Sequence, residues 1–523
     1  MKEFDKCLSP LLKAAKSDPN NYYCFFYLGQ FYRYMKEYDK ARRCFERSFK
    51  LCPNYNEASI ELSKMYRILQ NWDANIALLQ TITEDQINKQ NLWAWLQMGL
   101  ILMEQGDYDE AINYLRSASR IDKKNSHCWE SLGDAYLCRG AYASAQEAYE
   151  VVLEISNLAL YPALQIALIK KDRNCLDEAI LDFEALLTMN SNCVLTLTGL
   201  AETCLRKARV CYYEQRLGTA RDYAQYAVES VTRAIRQCSE ISCLWKILGD
   251  CCMLVTRLPE KYCCLMIMRA LDEGIHVGGD KILEKDDLFQ LAAKCYCKAL
   301  ILIEDKQFLW HDLAVCYLNQ AENCEDRDII RKLLTKAQAI IQNCTLTNPR
   351  CWQHWNLLGN IALASDPPNY ALAQHAFIKA VILDNDCAIA WCNLGILYYK
   401  INKIELANKA FAEAQRADPN YTQSWIGKAF VAEIMGQDDE AIDLFRHSIS
   451  LGFHPQGALG YGHWVCRKLM ESPQNSSLYA IQELHAIPVA CDALTWYTGK
   501  WQFLECDTYT IAFANDNVGQ MAL

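Results

Sequence analysis

Cysteine and histidine are the first candidates for metal chemistry in this sequence. Its 523 residues include 27 cysteines and nine histidines. Zinc sites commonly use a Cys-x-x-Cys spacing, and the sequence does not contain it. Cys351 and His354 lie one helical turn apart, as two ligands could, but no second pair accompanies them. We therefore interpret the cysteines as reduced, small core residues, and we expect no metal and no cofactor.

The tetrapeptide Asp-Glu-Ala-Ile occurs three times, beginning at Asp109, Asp177 and Asp439. It is similar to the acidic motif that binds a metal ion in helicases. In a helicase a strand would have to carry the motif, whereas here its alanine recurs at one position of a helical repeat. Acidic side chains suit the positive end of a helix dipole. The motif therefore predicts the start of a helix.

One stretch, LRKARVCYYEQRLGTAR at residues 205–221, could contact RNA, because it combines basic residues with aromatic residues that can stack on bases. These residues are Arg206, Lys207, Arg209, Arg216, Arg221, Tyr212 and Tyr213. The pattern is equally typical of a solvated helix face over core tyrosines. The net charge of −10 favours this second interpretation, since a nucleic-acid surface needs a clustered positive field. We expect no strong direct binding of nucleic acid.

The motifs of several enzyme classes are missing. The sequence has no GxxxxGK[ST] phosphate loop, no GxSxG nucleophile turn and no HExxH helix. It also has no apolar run near the roughly 18 residues that a membrane-spanning helix requires. We therefore expect a soluble protein that is not an enzyme.

Large and small residues recur with a fixed period along the chain. Trp391 is followed by Leu394, Gly395 and Phe411, and the pattern restarts 34 residues later at Trp425. This Trp, Leu-Gly, Tyr, Ala, Phe, Ala, Pro pattern is typical of the tetratricopeptide repeat, a pair of antiparallel helices. A small residue where the helices cross lets the backbones approach, and large side chains fill the surrounding gaps.

This pattern assigns a set of residues to the packing of the repeats. The set is Gly29, Ala41, Gly99, Ala111, Trp129, Gly133, Ala145, Trp245, Gly249, Trp355, Gly359, Trp391, Gly395, Ala407, Phe411, Trp425 and Ala441. One helix pair cannot bury its own apolar face, so neighbouring pairs must stack. The predicted fold is an all-α tetratricopeptide-repeat superhelical solenoid with a concave inner surface.

The regularity of the repeat divides the chain into five segments. Residues 1–19 hold only the second helix of an incomplete repeat, and residues 20–190 form a regular array. Residues 191–350 form repeats with insertions, and one insertion, GIHVGGDKILEKDD at residues 274–287, is predicted to be an exposed loop. Residues 351–450 are regular again. Residues 451–523 comprise a degenerate repeat and an irregular C-terminal tail.

Several strings go beyond what the repeat demands. They are CWESLGDAYLCRGAYASA, SCLWKILGDCC, NYALAQHAFIKAV, AWCNLGILYY and LFRHSISLGFHPQGALGYGHWVC. Together they resemble the tetratricopeptide scaffold subunit of the superkiller (Ski) complex, over roughly residues 90–470. Because chains of that family continue well beyond the matched region, and because the array begins with half a repeat, we expect this chain to be a fragment or a truncated chain.

The resemblance implies a cytoplasmic scaffold, with a nuclear pool also possible. Its partners would be a DExH RNA helicase subunit and WD-repeat subunits, and indirectly the RNA exosome and the ribosome. The assembly would serve 3′–5′ mRNA decay and mRNA surveillance. The family offers no catalytic residues to carry over.

Two interpretations of the groove stay open. Asn356, Asn360 and Asn393 lie on first helices of adjacent repeats, where they could form a hydrogen-bonding strip for a partner segment or simply line a solvated groove. The alternative function is a generic tetratricopeptide adaptor that binds peptides or chaperone tails. Such a clamp would need Lys or Arg on successive first helices. The sequence places Phe26, Gln30, Cys392 and Ile396 at those positions.

Overall fold

The computed structural model describes residues 4–84, 91–156, 159–268, 280–303, 307–452, 454–470, 487–492 and 494. Its α-helices pack as successive antiparallel pairs. This confirms the expected all-α class of stacked helix pairs. The chain divides into two compact units, residues 1–189 and residues 190–523. Within the described residues, no helix is long and apolar enough to cross a membrane.

In the part of the first unit that the structure describes, one single helix is followed by five pairs. The helices are α1 (Phe4–Ser17), α2 (Tyr22–Tyr34), α3 (Tyr38–Leu51), α4 (Asn56–Ile68), α5 (Trp72–Glu84), α6 (Leu92–Gln105), α7 (Tyr108–Ile121), α8 (Ser126–Cys138), α9 (Tyr142–Ile155), α10 (Leu160–Asp172) and α11 (Leu176–Met189). Asn21 and Asn125 cap α2 and α8, since each side chain accepts a backbone N–H of the first turn. Gly106 and Gly140 adopt positive φ in the turns between paired helices.

The second unit contains longer helices and a small sheet. Its elements are α12 (Val194–Tyr213), α13 (Leu217–Gln237), α14 (Ser242–Val255), a 3₁₀ turn (Glu260–Tyr262), β1 (Leu265–Met268), β2 (Asp280–Leu283), α15 (Lys285–Leu302), α16 (Gln307–Glu322), α17 (Arg327–Thr347), α18 (Trp352–Ala364), α19 (Tyr370–Leu383), α20 (Ala388–Lys400), α21 (Ile404–Ala417), α22 (Thr422–Ile434), α23 (Asp438–Leu451) and α24 (Pro455–Met470). First helices of neighbouring pairs also contact one another, for example α18 with α20.

The crossing of each helix pair brings a glycine against a large side chain. A methyl group added at Gly29 or Gly395 would lie 2.7 Å from the ring of Phe45 or Phe411. Both rings are buried, and so are Ala41 and Ala407 on the same second helices. Only glycine leaves room for the ring at these crossings. Among the remaining residues assigned to packing, Gly99, Ala111, Gly133, Ala145, Trp245, Gly249, Gly359 and Ala441 are also buried.

The tryptophans at the start of the first helices have a second role that spacing did not predict. Trp129, Trp355, Trp391 and Trp425 are only half-buried. Each donates its indole N–H to the backbone carbonyl six residues earlier, at distances of 2.8–3.1 Å, and Trp245 does the same at 2.9 Å. Each indole therefore ties its helix to the turn that leads in from the preceding repeat.

The expectation of an exposed loop at residues 274–287 is wrong where the structure describes it. Residues 274–279 lie outside the described residues, but residues 280–283 form β2, which pairs with β1 as an antiparallel hairpin. Leu265, Ile267 and Leu283 are buried on one face of this hairpin. The alternation of buried and exposed residues is typical of a half-buried strand. The neighbouring glycines favoured the loop prediction instead.

Helix α13 supports the hairpin through one side chain. The Gln225 amide donates to the carbonyl of Met266 at 3.1 Å, and its oxygen accepts the Met266 backbone N–H at 2.9 Å. Both backbone groups of Met266 are thereby paired with a side chain of the helix beside them.

Residues 451–523, expected to comprise a degenerate repeat and an irregular C-terminal tail, include α24 and a helical stretch at residues 487–492. Tyr461 and Trp464 of α24 pack with Ala490 and Leu494 against the core of α22 and α23. The rest of the tail lies outside the described residues.

The cysteines whose side chains the structure describes differ in burial. Twelve are buried, as expected of core residues, and burial raises the pKa of Cys316 and of Cys392 to about 12. Cys138, Cys175 and Cys238 are exposed, so the core interpretation does not extend to every cysteine.

Candidate partner-binding surface

The three asparagines predicted to form a strip lie on two neighbouring first helices, Asn356 and Asn360 on α18 and Asn393 on α20. All three are half-buried. The Asn393 amide donates to the Asn356 side-chain oxygen at 2.9 Å. Two of the three amides therefore bond to each other and link adjacent repeats, and a partner would meet an amide pair that is already partly satisfied.

A cavity of about 240 Å³ opens between α12, α14, α15 and α16. Its lining combines three basic residues with two carboxylates and three tyrosines. These residues are Arg209, Lys246, Arg257, Asp250, Asp312, Tyr212, Tyr213 and Tyr296. Pockets that mix charged groups with aromatic rings suit a polar segment of a protein partner.

Asp250 organises the floor of this cavity. Its carboxylate accepts from Arg209 at 3.0 Å, from Lys246 at 3.0 Å and from the Tyr296 hydroxyl at 2.8 Å. Burial is the larger cause that raises the pKa of Tyr296 well above its ordinary value, and the neighbouring Asp250 raises it further. Burial alone would lower the pKa of Lys246, but Asp250 and Asp312 raise it on balance. The floor is therefore a fixed array of opposite charges.

Sequence reasoning missed this arrangement, although a signal was present. Asp250 follows the crossing glycine Gly249, and the ring packed on that glycine belongs to Tyr296. In the first unit Asp134 follows Gly133, and its carboxylate accepts from Tyr149 at 2.6 Å and from Tyr161 at 2.7 Å. In both places an aspartate after the glycine accompanies a tyrosine at the crossing.

The basic stretch at residues 205–221 is largely neutralised by neighbouring carboxylates. Arg206 pairs with Glu202 at 3.3 Å and Arg221 with Asp222 at 3.1 Å. Arg216 pairs with Glu214, and Arg209 with Asp250. The expected core role of the tyrosines is wrong, because Tyr212 is half-buried and Tyr213 is exposed. The stretch therefore forms one wall of the cavity and does not present an unpaired positive field.

Cys351 and His354, one helical turn apart in the sequence, each have another neighbour in the structure. The Cys351 thiol donates to the side-chain oxygen of Gln353 at 2.8 Å, and His354 is buried against His311, with ring centroids 5.7 Å apart. Among the described residues no group of three or more His, Cys, Asp or Glu side chains could hold a metal ion.

Burial lowers the pKa of His354, and the neighbouring His311 lowers it further. The unfolded chain takes up this proton near pH 6.5, whereas the folded protein resists protonation until a lower pH. Stability is therefore lost as the pH falls below about 6.5. We expect His354→Phe to weaken this loss, as measured by thermal unfolding at pH 7.5 and pH 5.5. Identical pH dependence in variant and wild type would contradict the assignment.

Two of the four positions considered for a carboxylate clamp do not face the groove. Phe26 and Cys392, taken as groove residues at two clamp positions, are buried in the core, while Gln30 and Ile396 are half-buried. The described first helices thus present no Lys or Arg at these four places.

The stacked helix pairs and their crossing residues define a class, and family models agree with it. Models described as tetratricopeptide repeat match residues 22–55, 90–157 and 369–422. These stretches of the chain are tetratricopeptide repeats.

Three curated relatives point to a more specific group of repeat proteins. Tetratricopeptide repeat protein 37 of Xenopus laevis is 34% identical over 508 residues, which are 95% of this chain and 32% of that protein. Superkiller complex protein 3 of Mus musculus is 34% identical over 512 residues, 96% of this chain and 32% of that protein. Superkiller protein 3 of Saccharomyces cerevisiae is 22% identical over 425 residues, 73% of this chain and 28% of that protein.

These similarities confirm the resemblance to the scaffold subunit of the superkiller complex. The matched region extends beyond the residues 90–470 identified from individual strings. The chain spans about a third of the length of the curated relatives it matches.

Proposed function

We propose that this chain acts as a non-catalytic scaffold within a superkiller complex. It would help to hold a DExH RNA helicase subunit and WD-repeat subunits together for exosome-linked 3′–5′ mRNA decay and mRNA surveillance, in the cytoplasm. The observation that carries the proposal is the 34% identity with two relatives over at least 95% of this chain.

The stacked-repeat fold supports a binding role. Stacked repeats present many side chains of neighbouring helices to one partner, and contacts spread over several repeats add up through multivalency. The cavity around Asp250 offers a preformed charged site of this kind. We further propose that the amide pair of Asn356 and Asn393, with Asn360 on the same helix, contacts a partner segment.

The proposal predicts stable complexes between this chain and purified subunits. We expect the helicase and WD-repeat subunits to co-elute with the chain in size-exclusion chromatography after RNase treatment. Full-length mouse superkiller complex protein 3 serves as the positive control. We also expect the chain alone to hydrolyse no ATP.

Two results would contradict the proposal. One is the absence of both subunits from the chain's elution peak when the full-length mouse protein retains them. The other is ATP hydrolysis by the purified chain.

As a matched test of the cavity, Arg257→Glu changes the charge of an exposed side chain at its wall, and Arg446→Glu serves as a comparison outside it.

A further inference from the structure

Three second helices of the second unit expose an aliphatic side chain at the same register. Ile301 of α15, Leu346 of α17 and Ile382 of α19 each lie two residues before the C-cap of their helix. Their exposed fractions are 77%, 81% and 70%. We call these three residues the aliphatic row.

The repeat fold does not require an apolar residue at this position. Other second helices carry a polar or charged residue two places before the C-cap. These residues are Lys50, Arg120, Glu154, Arg236, Arg416 and Ser450. Exposing large aliphatic side chains has a hydration cost, and contiguous exposed apolar groups mark binding surfaces. The aliphatic row is therefore a local departure, confined to three consecutive helix pairs.

The same three helices also depart from the charge of the chain. α15, α17 and α19 contain eight Lys or Arg residues and three Asp residues, although the whole chain has a net charge of −10. All three aspartates, Asp286, Asp287 and Asp328, lie in first turns, where the helix dipole favours them. Beyond those turns the three helices carry only basic charges.

The basic side chains lie on the exposed faces of these helices. The exposed ones include Lys298 on α15, Arg331, Lys332 and Lys336 on α17, and Lys379 on α19. Lys298 also stands over the ring of Trp245, 4.0 Å from its centroid. Equivalent positions of consecutive repeats lie along one side of a stacked array. Lys298 and Lys379 lie about one helical turn before Ile301 and Ile382 of the aliphatic row, and the basic residues of α17 lie nearer its N-terminus than Leu346 does.

We propose that the outer faces of α15, α17 and α19 dock an acidic segment of a protein partner that carries apolar side chains. Its apolar groups would cover the aliphatic row, and its carboxylates would face the lysines and arginines nearer the helix middles. Apolar anchors supply the affinity, and complementary charge supplies orientation and association rate.

Nucleic acid and membrane fit this surface less well. RNA binding to single strands relies on aromatic stacking, which isoleucine and leucine cannot supply. Binding to an anionic membrane would require basic side chains directly beside the inserted apolar groups. Here the row lies instead at helix C-termini, beside Asp384, whose carboxylate accepts the Asp386 backbone N–H. A peptide can place apolar groups there and its carboxylates elsewhere.

A selection from displayed peptides tests the proposal and needs no superkiller subunit. The full chain is immobilised and exposed to a phage library of random 16-residue peptides, and leads are synthesised for fluorescence anisotropy. We expect the enriched peptides to combine net negative charge with Leu, Ile, Val or Phe. Leu346→Ser, Ile382→Ser and Lys332→Glu/Lys336→Glu should each weaken binding at least 10-fold.

The matched control is Arg416→Ser, at the same register of α21, which should change the affinity less than twofold. Circular dichroism checks that each variant keeps its helix content. The proposal is overturned by a failure to enrich acidic peptides, or by leads whose affinity is the same for the variants. It is also overturned if a 20-nucleotide poly(U) RNA, or vesicles of phosphatidylcholine and phosphatidylserine, bind through Leu346 while the peptides do not.

Because its failure leaves co-elution with the superkiller subunits untouched, this test separates the docking proposal from the proposed function. The inference goes beyond that function by naming a surface and the chemistry of its occupant.

Discussion

Phe377→Ala is expected to lower the free energy of unfolding of the second unit by about 3–5 kcal/mol. The ring of Phe377 is fully buried at the crossing of α18 and α19. It packs on the backbone at Gly359, where an added methyl group would lie 2.6 Å from one ring carbon. Removing the ring leaves a cavity that two helices held at a fixed crossing cannot close. Urea denaturation followed by circular dichroism measures the loss.

The same crossing allows a compensation test. Gly359→Ala alone should destabilise by about 1–3 kcal/mol through overpacking, even though alanine favours helix. In the double variant Gly359→Ala/Phe377→Ala the new methyl group enters the vacated space, so the combined cost should be smaller than the sum of the single costs.

Phe308→Ala, on the exposed face of α16, is the control and should cost less than about 1 kcal/mol. Additive costs at Gly359 and Phe377 would show that the two residues do not share one packing site.

Asp250→Ala is expected to destabilise the second unit by about 2–3 kcal/mol, because it leaves three donors without their shared acceptor. Of the two carboxylates described beside it, Lys246 would keep Asp312, at 3.4 Å. The Tyr296 hydroxyl would remain buried without this partner. Thermal and urea denaturation at neutral pH measure the effect.

Tyr296→Phe is the matched control for this carboxylate. It removes one donor and leaves Asp250 with Arg209 and Lys246, so its cost should be about 1 kcal/mol. Because the pKa of Tyr296 is raised in the folded state, its contribution to stability is lost as the pH rises above the ordinary tyrosine value near 10. The variant should lose less stability there than the wild type. An equal cost for both substitutions would contradict the role given to Asp250.

Much of the fold follows from the spacing of a few residue types. The period of Trp, Gly, Ala and Phe places both helices of most pairs, because only small residues fit where two backbones approach. The Asp-Glu-Ala-Ile motifs mark helix starts because acidic side chains suit the positive end of a helix dipole, and α7, α11 and α23 begin next to them.

The candidate site depends on contacts that period alone does not encode. Asp250 and Tyr296 are 46 residues apart, across an insertion, so no fixed spacing joins them. The hairpin was missed because the glycines between its strands favour a loop interpretation. Asn356 and Asn393 were placed on neighbouring first helices, but their mutual hydrogen bond depends on side-chain orientation, which a sequence pattern does not specify.

The side chain of Gln225 has a consequence for self-association. A bare strand edge offers its N–H and C=O groups as a template on which another molecule can add a strand, the first step toward amyloid-like growth. The Gln225 amide presents Met266 with the donor and acceptor that an incoming strand would bring. Because Gln225 already bonds both backbone groups of Met266, an incoming strand cannot pair with the hairpin edge at that residue. The hairpin therefore does not favour fibril growth there.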